Sequence, residues 1–232
     1  MIDIHTHILP FVDDGSQSVN NSIEIMKVCY LKGVREFIFT PHYRKDEYAP
    51  DVQTLLKTYS EFTKEVERNF EDVKTYLGEE VFCDGKIYDL LKSGKVLTIN
   101  NTKAVLLEFN YTAPTDIADY VYNIKCLGYL PIVAHVERYE YLNDESYFYE
   151  IKQSGALIQV NASSIVGKLC KPYRKKVIKL LKNNLVDFIS SDVHEDREVV
   201  IDKAYEFISK KFSKSVADDL FENNAKKYLI NG

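Results

Sequence analysis

Residues 1–15 have the sequence MIDIHTHILPFVDDG, in which two histidines stand two positions apart inside an apolar run. The whole chain of 232 residues contains five histidines, so a pair at this place is informative. Side chains alternate between the two faces of a strand, and His5 and His7 would therefore share one face. The stretch predicts a buried strand that ends in two imidazoles, followed by a loop with two aspartates.

Six more short runs resemble the first in composition. Several are almost continuously apolar, which is typical of strands buried on both faces. The predicted strands are residues 2–7, 36–42, 73–80, 104–110, 130–136, 156–162 and 185–194. Amphipathic segments lie between them and predict helices, among them residues 19–32, 55–70 and 114–128. In the last of these, Thr115 is the expected N-cap and Gly128 the stop signal.

Strands that alternate with helices predict an α/β fold with a parallel sheet and right-handed crossovers. The sheet could be a closed barrel or an open, doubly wound sheet. No GxGxxG or Walker-type loop follows a predicted strand, which argues against a nucleotide-binding fold, and we favour the barrel. Functional groups gather at the carboxyl ends of the strands in both architectures. No linker-like stretch divides the chain, so residues 1–232 are expected to form a single domain.

The overall composition excludes several classes of protein. The net charge is −5 with acids and bases interspersed, which argues against nucleic-acid binding. No apolar run is long enough for a membrane span, and no secretory signal pattern opens the chain. The four cysteines lack CxxC spacing, so we expect reduced thiols in a cytoplasmic protein. One basic segment, residues 168–182, predicts a solvated helix face, or alternatively a docking patch for an acidic partner.

Every histidine falls at or near the carboxyl end of a predicted strand, and acids share those places. The histidines are His5, His7, His42, His135 and His194, and the acids are Asp13, Asp14, Glu79, Glu80, Glu108 and Asp192. Imidazole and carboxylate ligands without cysteine suit Mn²⁺, Fe or Zn²⁺. One ion would be oversupplied with ligands, and the acids would repel one another without metal. We therefore predict a site for two or three ions.

Two arginines closely follow these candidate ligands, Arg138 in HVER and Arg197 in HEDR. A guanidinium matches phosphate oxygens bidentately, although each arginine could equally make a salt bridge at the rim. Arg44, after His42, is a weaker third candidate. Metal ions create hydroxide at neutral pH and neutralise charge at phosphorus. The residues therefore predict a metal-dependent hydrolase of phosphate esters.

The motifs DIHTH, TPH, LGEE, LEF, AHVERY and SDVHEDR occur in this order and together resemble the PHP (polymerase and histidinol phosphatase) superfamily. The opening MIDIHTHILPFVDDGS resembles the CpsB/CapC-type tyrosine-protein phosphatases of bacterial capsule and exopolysaccharide operons. The resemblance covers nearly the whole chain. It implies a distorted (β/α)7 barrel of PHP type, with two or three Mn²⁺ ions at the carboxyl ends of the strands and Fe or Zn as alternatives.

The resemblance also implies roles for individual residues. The implied metal ligands are His5, His7, Asp14, His42, Glu80, Glu108, His135, Asp192 and His194, and the implied phosphate-binding residues are Arg138 and Arg197. Glu79 competes with Glu80, and the match of Arg197 requires a gap after His194. The implied substrate is phosphotyrosine on a cognate bacterial tyrosine kinase, hydrolysed by direct attack of a metal-bridging hydroxide.

Other interpretations remain open at this point. A small-molecule phosphatase, such as a histidinol-phosphate phosphatase, would share the metal chemistry and differ in having a closed pocket. An amidohydrolase and an inactive regulator of the kinase are weaker alternatives. Residues 139–150 contain four of the 17 tyrosines, either as an aromatic rim of the site or as surface packing. Cys29 and Arg35 fit the Cys-x5-Arg signature, but Cys29 lies late in a predicted helix, so we expect it to be a packing residue.

Overall fold

The structure is a computed structural model that describes residues 1–168 and 170–231. The strands are β1 (Ile2–Thr6), β2 (Glu36–Phe39), β3 (His42–Tyr43), β4 (Lys74–Leu77), β5 (Glu80–Phe82), β6 (Ala104–Glu108), β7 (Leu130–Val133), β8 (Leu157–Asn161) and β9 (Phe188–Ser190). The helices are α1 (Val19–Leu31), α2 (Val52–Asn69), α3 (Ile87–Lys92), α4 (Ile117–Cys126), α5 (Glu145–Gln153), α6 (Arg174–Lys182), α7 (Ile201–Lys211) and α8 (Lys214–Asp218). Two π-helical segments, Asp219–Asn223 and Lys226–Ile230, follow α8.

All of these strands pair in parallel, which confirms the predicted α/β fold with a parallel sheet. The orders are β1-β2-β4 and β3-β5-β6-β7-β8-β9. The two groups form one continuous sheet. The chain runs from β2 into β3 with a break at Pro41, and from β4 into β5 with a break at Gly78. Proline has no N–H to donate, which explains the first interruption. Two of the predicted strands are therefore each divided into two shorter ones.

The sheet is curled so that its first and last strands meet. Thr6 forms a parallel bridge with Val193, just beyond β9. The amide of Asp192 donates to the carbonyl of His5 over 3.0 Å, and the amide of His7 donates to the carbonyl of Val193 over 3.0 Å. These bonds bring two chemically rich segments, from opposite ends of the chain, side by side.

The apolar core has two parts. One cluster packs the sheet against the helices, and a smaller one includes Ile4, Leu106, Ile132 and Phe188. Leu106 and Glu108 share one face of β6, because side chains two residues apart on a strand point the same way. The smaller cluster therefore forms the floor beneath the polar groups at the carboxyl ends of the strands.

Side chains cap the first turns of α1, α2, α4, α5 and α8. Asp51 caps α2 by accepting from the amides of Gln53 and Thr54, so this helix starts earlier than predicted. The expected cap Thr115 is wrong, since Asp116 caps α4 by accepting from the amide of Asp119 over 3.0 Å. Within residues 1–168 and 170–231, no helix combines the length and apolarity needed to cross a membrane.

Candidate metal centre

The imidazoles of the two first histidines meet a glutamate at the carboxyl end of the curled sheet. The Nε2 atoms of His5 and His7 are 3.2 Å apart. Glu80 Oε2 lies 3.2 Å from His5 Nε2 and 3.4 Å from His7 Nε2, and 3.0 Å from Nδ1 of His42. Two ligand atoms bound about 2.1 Å from one cation lie roughly 3.0–3.4 Å apart. The observed spacings match the edges of such a coordination shell.

Three groups of candidate ligands overlap. Within each group, the ligand atoms all lie within 4.8 Å of one another. The groups are His7, Asp14, His42 and His194; His5, His7 and Glu80; and His42, Glu80 and Glu108. His7, His42 and Glu80 each belong to two groups. Shared ligands are common in sites that hold more than one ion. Imidazole nitrogen and carboxylate oxygen, without a thiolate, fit Mn²⁺, Fe or Zn²⁺.

Several buried atoms of the cluster lack a hydrogen-bond partner among the described residues. They are Glu80 Oε2, His42 Nδ1, His135 Nδ1 and His194 Nε2. Leaving a buried polar atom unsatisfied costs about 1–3 kcal/mol. Cations coordinated by Glu80 Oε2, His42 Nδ1 and His194 Nε2 would remove this cost, so the residues present fit the metal chemistry expected from the sequence.

Asp192 joins the histidines to the arginines. Its Oδ1 lies 3.6 Å from Nε2 of His5 and 3.5 Å from Nε2 of His7. Its Oδ2 lies 3.0 Å from Arg138 Nη1 and 2.7 Å from Arg197 Nη1. Burial acts to raise the pKa of Asp192, but Arg138 and His5 hold that pKa well below its ordinary value. Both predicted arginines therefore stand beside the cluster as partners of one carboxylate.

Backbone strain also marks the site. Asp192 has φ of 52° and His135 has φ of 30°, in the left-handed region that side chains other than glycine rarely adopt. Strained residues of this kind cost about 1–3 kcal/mol and persist where the surrounding contacts hold them. Here the amide of His135 donates to Gln159 Oε1 over 2.6 Å, and Asp192 is held by the arginines.

The two adjacent glutamates point to different surroundings. Glu80 Oε1 lies 2.7 Å from Nε2 of His135, inside the cluster. Burial opposes ionisation, yet His5 and His42 keep the pKa of Glu80 well below its ordinary value. Glu79 accepts a hydrogen bond from the amide of Leu97, and burial raises its pKa to about 8. The geometry therefore favours Glu80 over Glu79 as the ligand.

Glu108 and Arg44 form the opposite side of the cluster. Arg44 Nη2 lies 2.7 Å from Glu108 Oε2, and the hydroxyl of Tyr111 donates to Glu108 Oε1 over 2.8 Å. Glu108 Oε2 is 3.8 Å from Nδ1 of His42. The arginine that the sequence marked as a weaker candidate thus approaches the cluster too, through a different carboxylate from that of Arg138 and Arg197.

Three residues support the cluster. Asp13 was among the acids marked in the sequence, whereas Gln159 and Asn161 were not. Asp13 Oδ2 lies 2.7 Å from Nδ1 of His7. Gln159 Oε1 lies 3.3 Å from Nδ1 of His5, and the side-chain amide of Asn161 donates to Asp192 Oδ2 over 2.7 Å. Gln159 and Asn161 alternate along an otherwise apolar strand, and this alternation was the available signal.

The cysteine of the Cys-x5-Arg pattern lies in an environment that does not suit a nucleophile. Cys29 lies late in α1, is fully buried and belongs to the apolar core between sheet and helices. Burial and the nearby Asp3 raise the pKa of its thiol far above the ordinary value. A thiol in this environment stays protonated, which agrees with its interpretation as a packing residue.

The chain is similar to known proteins over nearly its whole length. The family model for capsular polysaccharide synthesis proteins of the CpsB/CapC type matches residues 1–230. Tyrosine-protein phosphatase CpsB of Streptococcus agalactiae is 35% identical over 240 residues, covering 100% of this chain and 99% of the relative. Tyrosine-protein phosphatase YwqE of Bacillus subtilis is 29% identical, covering 96% of this chain and 89% of the relative.

Solved structures show the same relation. A chain from the crystal structures of YwqE from Bacillus subtilis and CpsB from Streptococcus pneumoniae, described as unique metal-dependent tyrosine phosphatases, matches with a TM-score of 0.92. It is 28% identical, and the match covers 100% of this chain and 94% of that one. A mutant organophosphorus hydrolase, 9% identical with a TM-score of 0.63, shares the fold alone. The chain belongs to the CpsB/CapC family of capsular polysaccharide synthesis proteins.

Proposed function

We propose that this protein is a metal-dependent protein-tyrosine phosphatase that hydrolyses phosphotyrosine without a cysteine nucleophile. The convergence of His5, His7, His42 and His194 with buried carboxylates, in a chain of this family, carries the proposal. The fold would be a distorted (β/α)7 barrel of the PHP type, with residues 1–232 as one domain. The bridge between Thr6 and Val193 supports a closed barrel.

The proposed cofactor is a cluster of two or three Mn²⁺ ions. The proposed ligands are His5, His7, Asp14, His42, Glu80, Glu108, His135, Asp192 and His194. When bound, such cations lower the pKa of a coordinated water and offset negative charge at phosphorus. Asp13 and Gln159 hold the rings of His7 and His5 from behind, and this keeps the opposite ring nitrogens facing the cluster.

The arginines would bind the phosphate group of the substrate. The side chains of Arg138 and Arg197 are 18% and 32% exposed, so both reach solvent while one nitrogen of each contacts Asp192. A guanidinium has five N–H donors, which leaves donors free for phosphate oxygens. Their pairing with Asp192 holds both guanidinium groups beside the cluster.

An open mouth with aromatic side chains favours a phosphoprotein over a metabolite. The side chain of Asp14 is 46% exposed, and Phe11 in the same loop is 65% exposed. Tyr48 stacks near His42 with ring centroids 6.3 Å apart. Relatives in the family are named tyrosine-protein phosphatases, which supports phosphotyrosine rather than a small phosphate ester. A cognate bacterial tyrosine kinase is the proposed phosphoprotein, and the cytoplasmic location stays a prediction.

Hydrolysis assays test the function directly. We would measure turnover of p-nitrophenyl phosphate, a phosphotyrosine peptide and histidinol phosphate, with Mn²⁺ and with EDTA. We expect Mn²⁺-dependent turnover of the peptide, near-complete loss in His194→Ala, and unchanged activity in Cys29→Ser and in the exposed control Cys126→Ser. Activity that survives chelation and disappears in Cys29→Ser would reverse the mechanism, and selective turnover of histidinol phosphate would replace the substrate.

A further inference from the structure

A row of exposed basic side chains lies between β8 and β9. We call it the basic track and define it as Lys168, Lys171, Arg174, Lys175 and Lys182, all of which are exposed. None of the five makes an ion pair with a carboxylate in the described part of the chain, whereas the neighbouring Lys179 contacts Glu145 at 3.1 Å. The whole protein is acidic, with a net charge of −5, so this concentration of unpaired positive charge is local.

The basic residues at the start of helix α6 are unfavourable for the stability of this helix. Helix α6 has Arg174 and Lys175 in its first turn and no acidic residue there. Positive charges near the start of a helix oppose its dipole, and like charges four residues apart repel each other. Lys175 and Lys179 have this spacing within α6. A bound negative partner would relieve both unfavourable terms.

The track borders a shallow, open groove. Lys171, Arg174, Lys175 and Lys182 line an open groove of 580 Å³ together with Ile178. The guanidinium of Arg174 lies over the ring of Phe207 at 4.8 Å, which holds this side chain at the edge of the groove. A groove with charged walls and an apolar floor suits an extended segment of protein chain.

A membrane surface is the poorer partner. The apolar residues of α6, Val177, Leu180 and Leu181, are buried in the core and are not free to enter a bilayer. Ile178 is the partly exposed apolar residue between the basic ones. Interfacial helices bind membranes by burying an apolar face among the lipids, and α6 has already used that face inside the protein.

One residue of the track, Lys168, lies beside the proposed active site. Lys168 and Arg197 line the same cavity of 330 Å³, together with Ser191 and the two acids Asp196 and Glu198. Lys176, on α6, donates to the carbonyl of Tyr139, the residue that follows Arg138. A peptide whose phosphate is held at Arg138 and Arg197 would therefore have its neighbouring residues close to the track.

We propose that the basic track binds an acidic segment of the protein substrate that flanks the phosphotyrosine. The proposal rests on the proposed phosphatase function and deepens it by naming the chemistry of the substrate around the phosphorylated residue. The binding is electrostatic and would weaken as salt screens it, since the Debye length falls to about 3 Å at 1 M salt.

The test compares two phosphotyrosine peptides, one with Asp and Glu flanks and one with neutral flanks, using p-nitrophenyl phosphate as a reference without flanks. The variant is Lys171→Glu/Arg174→Glu/Lys175→Glu. The control is Lys57→Glu/Lys64→Glu/Lys92→Glu, which changes exposed lysines of α2 and α3 and alters the net charge equally. We expect the wild type and the control to favour the acidic peptide about tenfold in kcat/KM at low salt, through a lower KM. The variant should lose this preference and keep wild-type turnover of p-nitrophenyl phosphate.

Three results would overturn the docking proposal. The wild type could hydrolyse both peptides equally, or the variant could retain the preference. The third is binding of the wild type, lost in the variant, to phosphatidylserine–phosphatidylcholine vesicles without any preference between the peptides, which would assign the track to a membrane. If neither peptide is hydrolysed, the phosphatase function itself fails. Fluorescence anisotropy of an acidic peptide without phosphotyrosine then still decides whether the track binds it.

Discussion

At the level of single residues, Asp13 organises the first loop and the first two histidine-bearing strands. Its Oδ2 contacts Nδ1 of His7 at 2.7 Å and accepts from the amide of His42 at 2.9 Å, and its Oδ1 accepts from the amide of Gly15 at 2.9 Å. Burial alone would raise the pKa of Asp13, but His7 holds it below its ordinary value. A carboxylate that is hydrogen-bonded to one nitrogen of an imidazole ring fixes the direction in which the second ring nitrogen points. Asp13 is therefore a positioning residue for His7.

Asp13→Asn should weaken Mn²⁺ binding by about 10–100-fold, because supporting partners of metal-bound histidines typically contribute that much to affinity. Isothermal titration of the chelator-treated protein with Mn²⁺ measures this loss. Asp89→Asn, on the exposed surface of α3, is the control and should bind as the wild type does. Wild-type affinity in Asp13→Asn would show that His7 is held in place by other contacts or is not a ligand.

At the level of elements, the loop between β1 and α1 folds back onto the end of β1. The amide of Ser16 donates to the carbonyl of His7 over 3.1 Å, and the amide of Phe11 donates to the carbonyl of Ser16 over 3.0 Å. A Cβ atom on Gly15 would lie 2.0 Å from the carbonyl oxygen of His7. Glycine is required because the two backbone segments approach so closely, and this approach places Asp13 and Asp14 against the histidines.

Gly15→Ala should lower Mn²⁺-dependent turnover by about 100-fold, the loss that misplacing a catalytic group by about 1 Å can cause. The added methyl group must displace the loop, and with it the contact between Asp14 and His194. Kinetics with p-nitrophenyl phosphate measures the effect, and circular dichroism checks that the fold is retained. Gly85→Ala is the matched control, because a Cβ there meets no atom within 4 Å. Equal activity in the two variants would contradict the role of the loop.

At the level of the whole molecule, closing the sheet assembles the site. His5 belongs to the first strand and Asp192 follows the last, and the hydrogen bond between their backbones spans 3.0 Å. The closure also gathers the buried carboxylates of Glu80, Glu108 and Asp192 within a small volume. Histidines and arginines offset part of this charge, and cations would offset more. Metal binding and the stability of the closed sheet should therefore be coupled.

Removal of divalent cations with EDTA should lower the melting temperature, and excess Mn²⁺ should restore it. At 100 times the Kd, binding adds about 2.7 kcal/mol, which corresponds to roughly 5–10 °C for a chain of this size. Differential scanning calorimetry measures the shift. It should be reduced in His194→Ala and fully kept in Cys126→Ser. A melting temperature that does not respond to Mn²⁺ in the wild type would contradict metal binding at this site.

Much of the architecture follows from local patterns. Apolar runs separated by amphipathic segments predicted the parallel α/β fold, because strand and helix periodicities are properties of neighbouring residues. The placement of all five histidines at strand ends predicted a common site for the same reason, since parallel strands align their carboxyl ends. Pro41 and Gly78, where two strands are interrupted, had local signals that the strand prediction did not use.

The remaining features depend on contacts between distant segments. Whether Glu79 or Glu80 faces the histidines depends on how the chain turns between β4 and β5. The pairing of Arg138 with Asp192 requires β7, β8 and β9 to lie side by side. Gln159 contacts His5 on a different strand, and Asp13 contacts His7 at the other end of the first loop. At these residues, the direction of the side chain and its charge partner depend on residues far away in the sequence. These contacts form only when the sheet closes and brings the distant segments together.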